Sequence, residues 1–205
     1  MQHATACGGI LLCGGESRRM GEPKAALRFG SETLLERLAR ILREVVEPLV
    51  VVARPDQPLA VLPAEITVAR DRHDGRGPLE AIATGILALP VETGAAFIAS
   101  CDLPWLRPEW IRFLIAQLEP ADEAVIPRVD GVAQPLAGIY RTTLVSAIDA
   151  RLARDERSVH TFLGTIRTRW IEAAALRTVD PELESLINVN TPAEYAAALQ
   201  RGSRP

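Results

Sequence analysis

The 205-residue chain holds only three cysteines and three histidines, and their spacing excludes several chemistries. Cys7, Cys13 and Cys101 are odd in number and follow neither a CxxC nor a His/Cys metal pattern. A disulfide framework is therefore not expected; the chain reads as an intracellular, reduced protein with small buried thiols. His73 and His160 have no ligand-spaced partners, so His160 is expected to be structural and His73 a loop residue. An uninterrupted apolar run of the roughly 18 residues that span a membrane is also missing, as is a basic segment leading into an apolar one near the N-terminus. The expectation is a soluble, cytoplasmic protein with no membrane contact. Basic charge is not in excess: 23 Lys and Arg stand against 26 Asp and Glu, a net charge of −3. This balance argues against a nucleic-acid partner, which usually selects a basic footprint. Internal repeats, low-complexity stretches and strong linkers are lacking too, so residues 1–205 are read as one domain.

What is present is an ordinary globular balance, 48% apolar and 24% charged, arranged in alternation. Short apolar runs at Gly8–Cys13, Leu49–Ala53, Glu65–Ala69, Ala95–Ser100 and Ala124–Pro127 read as strands. Val132–Tyr140 reads as extended but broken by Pro135, and Arg169–Glu172 as a short strand. Helical spacing marks Leu34–Val46, with Thr33 and Glu36 in capping-box positions and Pro48 as a stop. Further helices are predicted at Pro78–Leu89, Pro108–Leu118, Thr142–Leu152, Ser158–Leu163 and from Pro192 onward. The Pro-rich stretch between Arg54 and Glu65 reads as an irregular loop. Continuous apolar strands alternating with helices predict an α/β, Rossmann-like three-layer sandwich, a mostly parallel sheet with helices on both faces. In such a sheet ligands sit beyond the carboxyl ends of the strands. That rule selects Gly14 onward, Arg54, Arg70-Asp71 and Cys101-Asp102.

The segment Leu12 to Lys24 (LCGGESRRMGEPK) is neither a Walker loop nor a dinucleotide fingerprint. Its composition still suits phosphate. Gly14 and Gly15 let backbone N–H groups approach oxygens closely, and Arg18, Arg19 and Lys24 supply cations. Asp102, directly after a buried strand, is a natural Mg²⁺ ligand. That cation is commonly held by one or two carboxylates with phosphates and water. Gly77-Pro78 opens a helix and leaves N–H groups toward a ligand, and Asp71 could accept hydrogen bonds from a base or ribose. Asn188-Val189-Asn190-Thr191-Pro192, by itself, reads as a turn capping a helix.

Taken together, Leu12-x-Gly-Gly-x-Ser-x-Arg-Met-Gly with Lys24, Gly77-Pro78-Leu79, Cys101-Asp102-x-Pro104, Gln134-Pro135-Leu136 and Asn188-Val189-Asn190-Thr191-Pro192 resemble the bacterial molybdenum cofactor guanylyltransferases. The motifs run from residue 8 to about 195. The first is common to many nucleotidyltransferases of this fold, and the full ordered set is far more specific. The resemblance implies Mg²⁺-dependent transfer of GMP from GTP to Mo-molybdopterin, giving the guanine dinucleotide cofactor and pyrophosphate. It implies a nucleotide-binding half over about 8–105 and an acceptor-binding half over about 106–200. Leu12, Cys13 and Gly14 would contact the nucleotide and Lys24 its phosphates. Asp71 would meet the guanosine, Asp102 the Mg²⁺ and nucleotide, and Asn188 and Asn190 the pterin side. Arg18 or Arg19, with Lys24, would offset charge on the departing pyrophosphate. Molybdoenzymes or their chaperones are candidate partners.

Three places in the chain depart from the family pattern. Cys13 stands where Ala is usual. Arg54 lies where an Asn often follows the second strand. Glu80-Ala81 replaces Ala-Gly. Other readings left open are a cytidylyltransferase on the same pterin, a sugar-phosphate nucleotidyltransferase, and a non-catalytic module that delivers cofactor.

Overall fold

The computed structural model describes residues 7–14, 22–73 and 75–202. In chain order its strands and helices are β1 Cys7–Leu12, β2 Arg28–Phe29, β3 Glu32–Thr33, α1 Leu34–Arg43, β4 Leu49–Ala53, β5 Ile66–Arg70, α2 Pro78–Ala88 and β6 Ala95–Ser100. There follow α3 Pro108–Ala116, β7 Ala124–Val129, β8 Val132–Ala133, β9 Ala137–Arg141, α4 Val145–Leu152, α5 Val159–Leu163, β10 Thr168–Glu172, α6 Ala173–Leu176 and α7 Pro192–Gly202.

Eight strands form one sheet in the order β10-β7-β9-β6-β1-β4-β5, with β8 paired to β7. The pairs β6–β1, β1–β4, β4–β5 and β7–β10 are parallel, while β9 runs antiparallel to both β6 and β7. The sheet is mixed and mostly parallel, as the apolar runs predict. Alternation along the strands divides the core in two. Leu11, Val51, Phe97 and Ala99 pack on one face with α1 and α3. Ile10, Leu12, Val52 and Ile98 pack on the other with α2, α4 and α5. The sandwich therefore has three layers. No helix among the described residues is long and apolar enough to cross a membrane.

Local chemistry fixes the elements next to the cleft. Thr33 and Glu36 form the expected capping box: the Glu36 N–H donates to Thr33 Oγ1 at 3.2 Å, and the Thr33 N–H donates to Glu36 Oε2 at 2.7 Å. α1 ends at Arg43 rather than Val46, because its last turn tightens as the Val45 N–H bonds the Leu42 carbonyl. Gly77 caps α2 at φ 85°, a left-handed conformation open to glycine, and Pro78 takes the first helical position. One turn was not foreseen: Arg28–Thr33 is a small hairpin around Gly30 at φ 70°. With two residues per strand, it is too short to show an alternating pattern.

Candidate active site

A cleft of about 830 Å³ opens beyond the carboxyl ends of β1, β4, β5 and β6. Leu12, Cys13 and Gly14 from the end of β1 line it, as does Lys24. Asp71, the Gly77-Pro78 opening of α2, and Asp102 line it as well, together with Asn190 from the approach to α7. Asn188 faces an adjoining cavity of about 290 Å³ that shares Ser100, Asp102 and Leu136 with the first. Gly15, Arg18 and Arg19 lie outside the described residues.

Three backbone bonds bring these distant segments together. The Cys101 N–H donates to the Leu12 carbonyl at 3.0 Å, extending the β1–β6 ladder by one rung. The Cys13 N–H donates to the Val52 carbonyl at 2.7 Å, and the Val189 N–H to the Asp102 carbonyl at 2.9 Å. The last bond carries Asn188 and Asn190 to the edge where Asp102 stands. Lys24 then joins the pieces: its Nζ donates to Asp102 Oδ2 at 3.0 Å and to Asn190 Oδ1 at 2.6 Å. Asn190 is itself fixed, since Glu194 Oε2 accepts from the Asn190 and Thr191 N–H groups at 2.7 and 3.0 Å. These bonds, the Asn190 N–H foremost, hold the Glu194 carboxyl below the usual range. Asn-x-Asn-Thr-Pro thus caps α7 and reaches into the cleft at once.

Gly14 lies close against the Asp71 and Arg54 side chains. A Cβ there would lie 3.1 Å from Asp71 Oδ2 and 3.6 Å from Arg54 Cγ. Behind it the buried Gln57 donates Nε2 to the Cys13 carbonyl at 3.1 Å, and Arg70 Nη1 clasps the Arg54 and Gln57 carbonyls at 3.0 and 2.7 Å. Sequence reasoning missed Gln57, whose surroundings read only as a Pro-rich loop.

The far wall also differs from expectation. His73 and Arg76 line the cleft, and both reach back to Glu80. His73 Nδ1 lies 2.8 Å from Glu80 Oε1 and Arg76 Nε 3.8 Å from Glu80 Oε2, with the Glu80 side chain only 2% exposed. Glu80, a departure from the family pattern, is turned inward as an anchor for these two residues. His160 is not structural: it is exposed and lines the smaller cavity.

Asp102 and Asn190 present hard oxygens, and both already face a cation, the Lys24 ammonium. That donor chemistry fits a Mg²⁺ shared with phosphates, which needs only one or two carboxylates from the protein. A cage of three or more acidic, His or Cys groups does not occur among the described residues. At the cleft floor Cys13 and Cys101 are free thiols with their Sγ atoms 2.9 Å apart. The contact with Cys13 and burial push the Cys101 thiol above its ordinary pKa.

Sheet, cleft and Lys–Asp pair define the class: an α/β nucleotide-binding protein with its site at the carboxyl edge of a mostly parallel sheet. Residues 9–170 match the family described as MobA-like NTP transferase domain. A Mycobacterium avium protein named "Probable molybdenum cofactor guanylyltransferase" is 39% identical over 196 residues, 94% of each chain. A Mycobacterium tuberculosis protein of the same name is 37% identical over 198 residues, 95% of this chain and 94% of the relative. Among solved structures, the molybdopterin-guanine dinucleotide biosynthesis protein A of Archaeoglobus fulgidus superposes with a TM-score of 0.78. It covers 96% of this chain and 98% of its own at 22% identity, a likeness of fold. The chain belongs to the MobA-like NTP transferase family, and it is a nucleotidyltransferase.

Proposed function

We propose that this protein transfers GMP from GTP to the terminal phosphate of Mo-molybdopterin, releasing pyrophosphate and forming the guanine dinucleotide cofactor. The observation that carries this reading is the Lys24–Asp102–Asn190 cluster, placed where two cavities meet at Asp102. The larger cavity, within residues 8–105 for most of its lining, would take GTP. The smaller, built largely from residues 132–188, would take the pterin, so the two halves of the chain divide donor from acceptor.

An oxygen of the acceptor phosphate forms a bond to the α-phosphorus of GTP while the bond to the β,γ-pyrophosphate breaks. The acceptor phosphate is already ionised at neutral pH, with a second pKa near about 6 for such groups, so no side chain has to remove a proton. Catalysis then rests on placement and charge neutralisation. Lys24 holds the phosphates and offsets charge on the leaving group, with Arg18 or Arg19 assisting. Asp102 and Asn190 would hold Mg²⁺, which when bound supplies a Lewis acid against phosphate oxygens. Asp71 and the N-terminus of α2 would receive the guanosine. We place the reaction in the cytoplasm, with molybdoenzymes or their chaperones receiving the product.

Pyrophosphate release from GTP with Mo-molybdopterin, against CTP as competitor substrate, tests the assignment. Release with GTP and Mg²⁺ only when the pterin is present supports it. Preference for CTP would make the enzyme a cytidylyltransferase, and absence of release with either nucleotide would overturn the transfer reading.

A further inference from the structure

We propose that Cys13 and Cys101 form a redox-responsive dithiol at the floor of the nucleotide cleft, and that their oxidation to a disulfide arrests nucleotidyl transfer. The two residues are 88 apart in the chain, yet each directly follows a strand of the same parallel pair. β1 and β6 are in register with Leu12 opposite Ser100, and the Cys101 N–H bond to the Leu12 carbonyl carries that register one step further. Adjacent strands lie about 4.8 Å apart, within the 4.4–6.8 Å Cα separation that a disulfide requires. Equal register also sends both side chains to the same face, where they belong to one buried cluster. The Sγ atoms lie at 2.9 Å, so closure to about 2.05 Å is a short movement. Both residues also border the cleft, where Cys13 is 6% and Cys101 3% exposed, and a small oxidant would reach them through that edge. Cys7 sits at the opposite end of β1 and is not part of this cleft.

With an azodicarboxamide oxidant such as diamide, the two S–H bonds break and one S–S bond forms. Two protons and two electrons pass to the N=N bond, which becomes a hydrazine. A disulfide ties the ends of β1 and β6 together and fixes the spacing of Gly14 and Asp102, the neighbours of the two cysteines, so a misplacement of about 1 Å that the reduced site could relax is held, at a cost on the order of 100-fold in rate.

The test uses the full-length Cys7→Ser protein, in which Cys13 and Cys101 are the only thiols, alongside wild type. Diamide should lower the intact mass by about 2 Da and remove both free thiols, and dithiothreitol should restore them, as two-electron disulfide chemistry requires. Peptide mapping of oxidised wild type, which does not depend on the Cys7→Ser fold, should recover the Cys13–Cys101 cross-link. GMP transfer should fall with disulfide content and return on reduction. Two free thiols after diamide, or cross-links only between chains, would overturn the pairing. A disulfide formed with unchanged transfer would overturn its regulatory effect. The arrest rests on the transferase reading, whereas thiol count and mapping do not. Failure of transfer in the reduced protein would therefore count against the proposed function and leave the dithiol to be decided by mass.

Discussion

Among the described residues Lys24 binds Asp102 at 3.0 Å and Asn190 at 2.6 Å, acceptors that lie 78 and 166 residues further along the chain. In the absence of nucleotide its ammonium neutralises Asp102. When a triphosphate arrives, the same ammonium has stronger anionic partners to serve, which leaves Asp102 for a metal. Removing either charge should therefore cost turnover more than folding. Lys24→Ala and Asp102→Ala are each expected to lower pyrophosphate release on the order of 100-fold or more, the scale of a lost electrostatic contact in a preorganised site. Circular dichroism melts should stay close to wild type, and a folded Asp102→Ala enzyme with near-normal turnover would sink the metal assignment. Glu80 has a different significance. Its carboxylate is buried, and its Oε1 relies on the His73 ring at 2.8 Å. His73→Ala leaves that oxygen without its partner. The expected loss is about 1–3 kcal/mol in urea denaturation, the cost of an unsatisfied buried acceptor. A change within a few tenths would show that His73 does not hold Glu80.

Helix α2 forms the cleft's far wall and lies hard against β1. A Cβ on Gly85 would fall 2.4 Å from Ile10 Cγ2, so the absence of a side chain sets how closely the helix approaches the sheet. Gly85→Val should destabilise by about 1–3 kcal/mol through overpacking, read as a shift in the urea midpoint. An unchanged midpoint would mean that the helix can lift off the strand without cost. At this scale the sequence was legible wherever one element buries a strong periodic face. The runs Leu49–Ala53 and Ala95–Ser100 became central strands, and the Thr33/Glu36 signature became a capping box. Strand orientation was less legible. β9, entered after the break at Pro135, runs antiparallel, and its apolar run is no different from that of a parallel strand. Most of the site was legible through one rule, that polar residues after parallel strands converge. That rule brought Gly14, Asp71 and Asp102 to one edge. It could not reach Gln57 or the Lys24–Asn190 bond, because those depend on how loops fold back. Nor could it show that Glu80, a charge at a helix start, turns inward.

For the molecule as a whole, the cleft is where β1, β4, β5, β6, α2 and the approach to α7 meet, so a ligand there ties together most of the chain's length. Anything that binds the folded state alone raises its stability by mass action. GTP with Mg²⁺ at a hundredfold excess over its dissociation constant should add about 2.7 kcal/mol. For a protein of this size that corresponds to a rise in Tm of about 5–10 °C, taking roughly 2–4 °C per kcal/mol. The metal's share of that rise should pass through Asp102. Wild type should gain more from GTP with Mg²⁺ than from GTP with a chelator, and Asp102→Ala should gain equally from both. Lys24→Ala should lose part of the rise under either condition, because its charge meets phosphate whether or not metal is present. An Asp102→Ala protein that keeps the full Mg²⁺ increment would move the metal away from the β6 edge, even if transfer were lost. Thermal shifts thus separate where the metal binds from whether the reaction proceeds, which turnover alone leaves entangled.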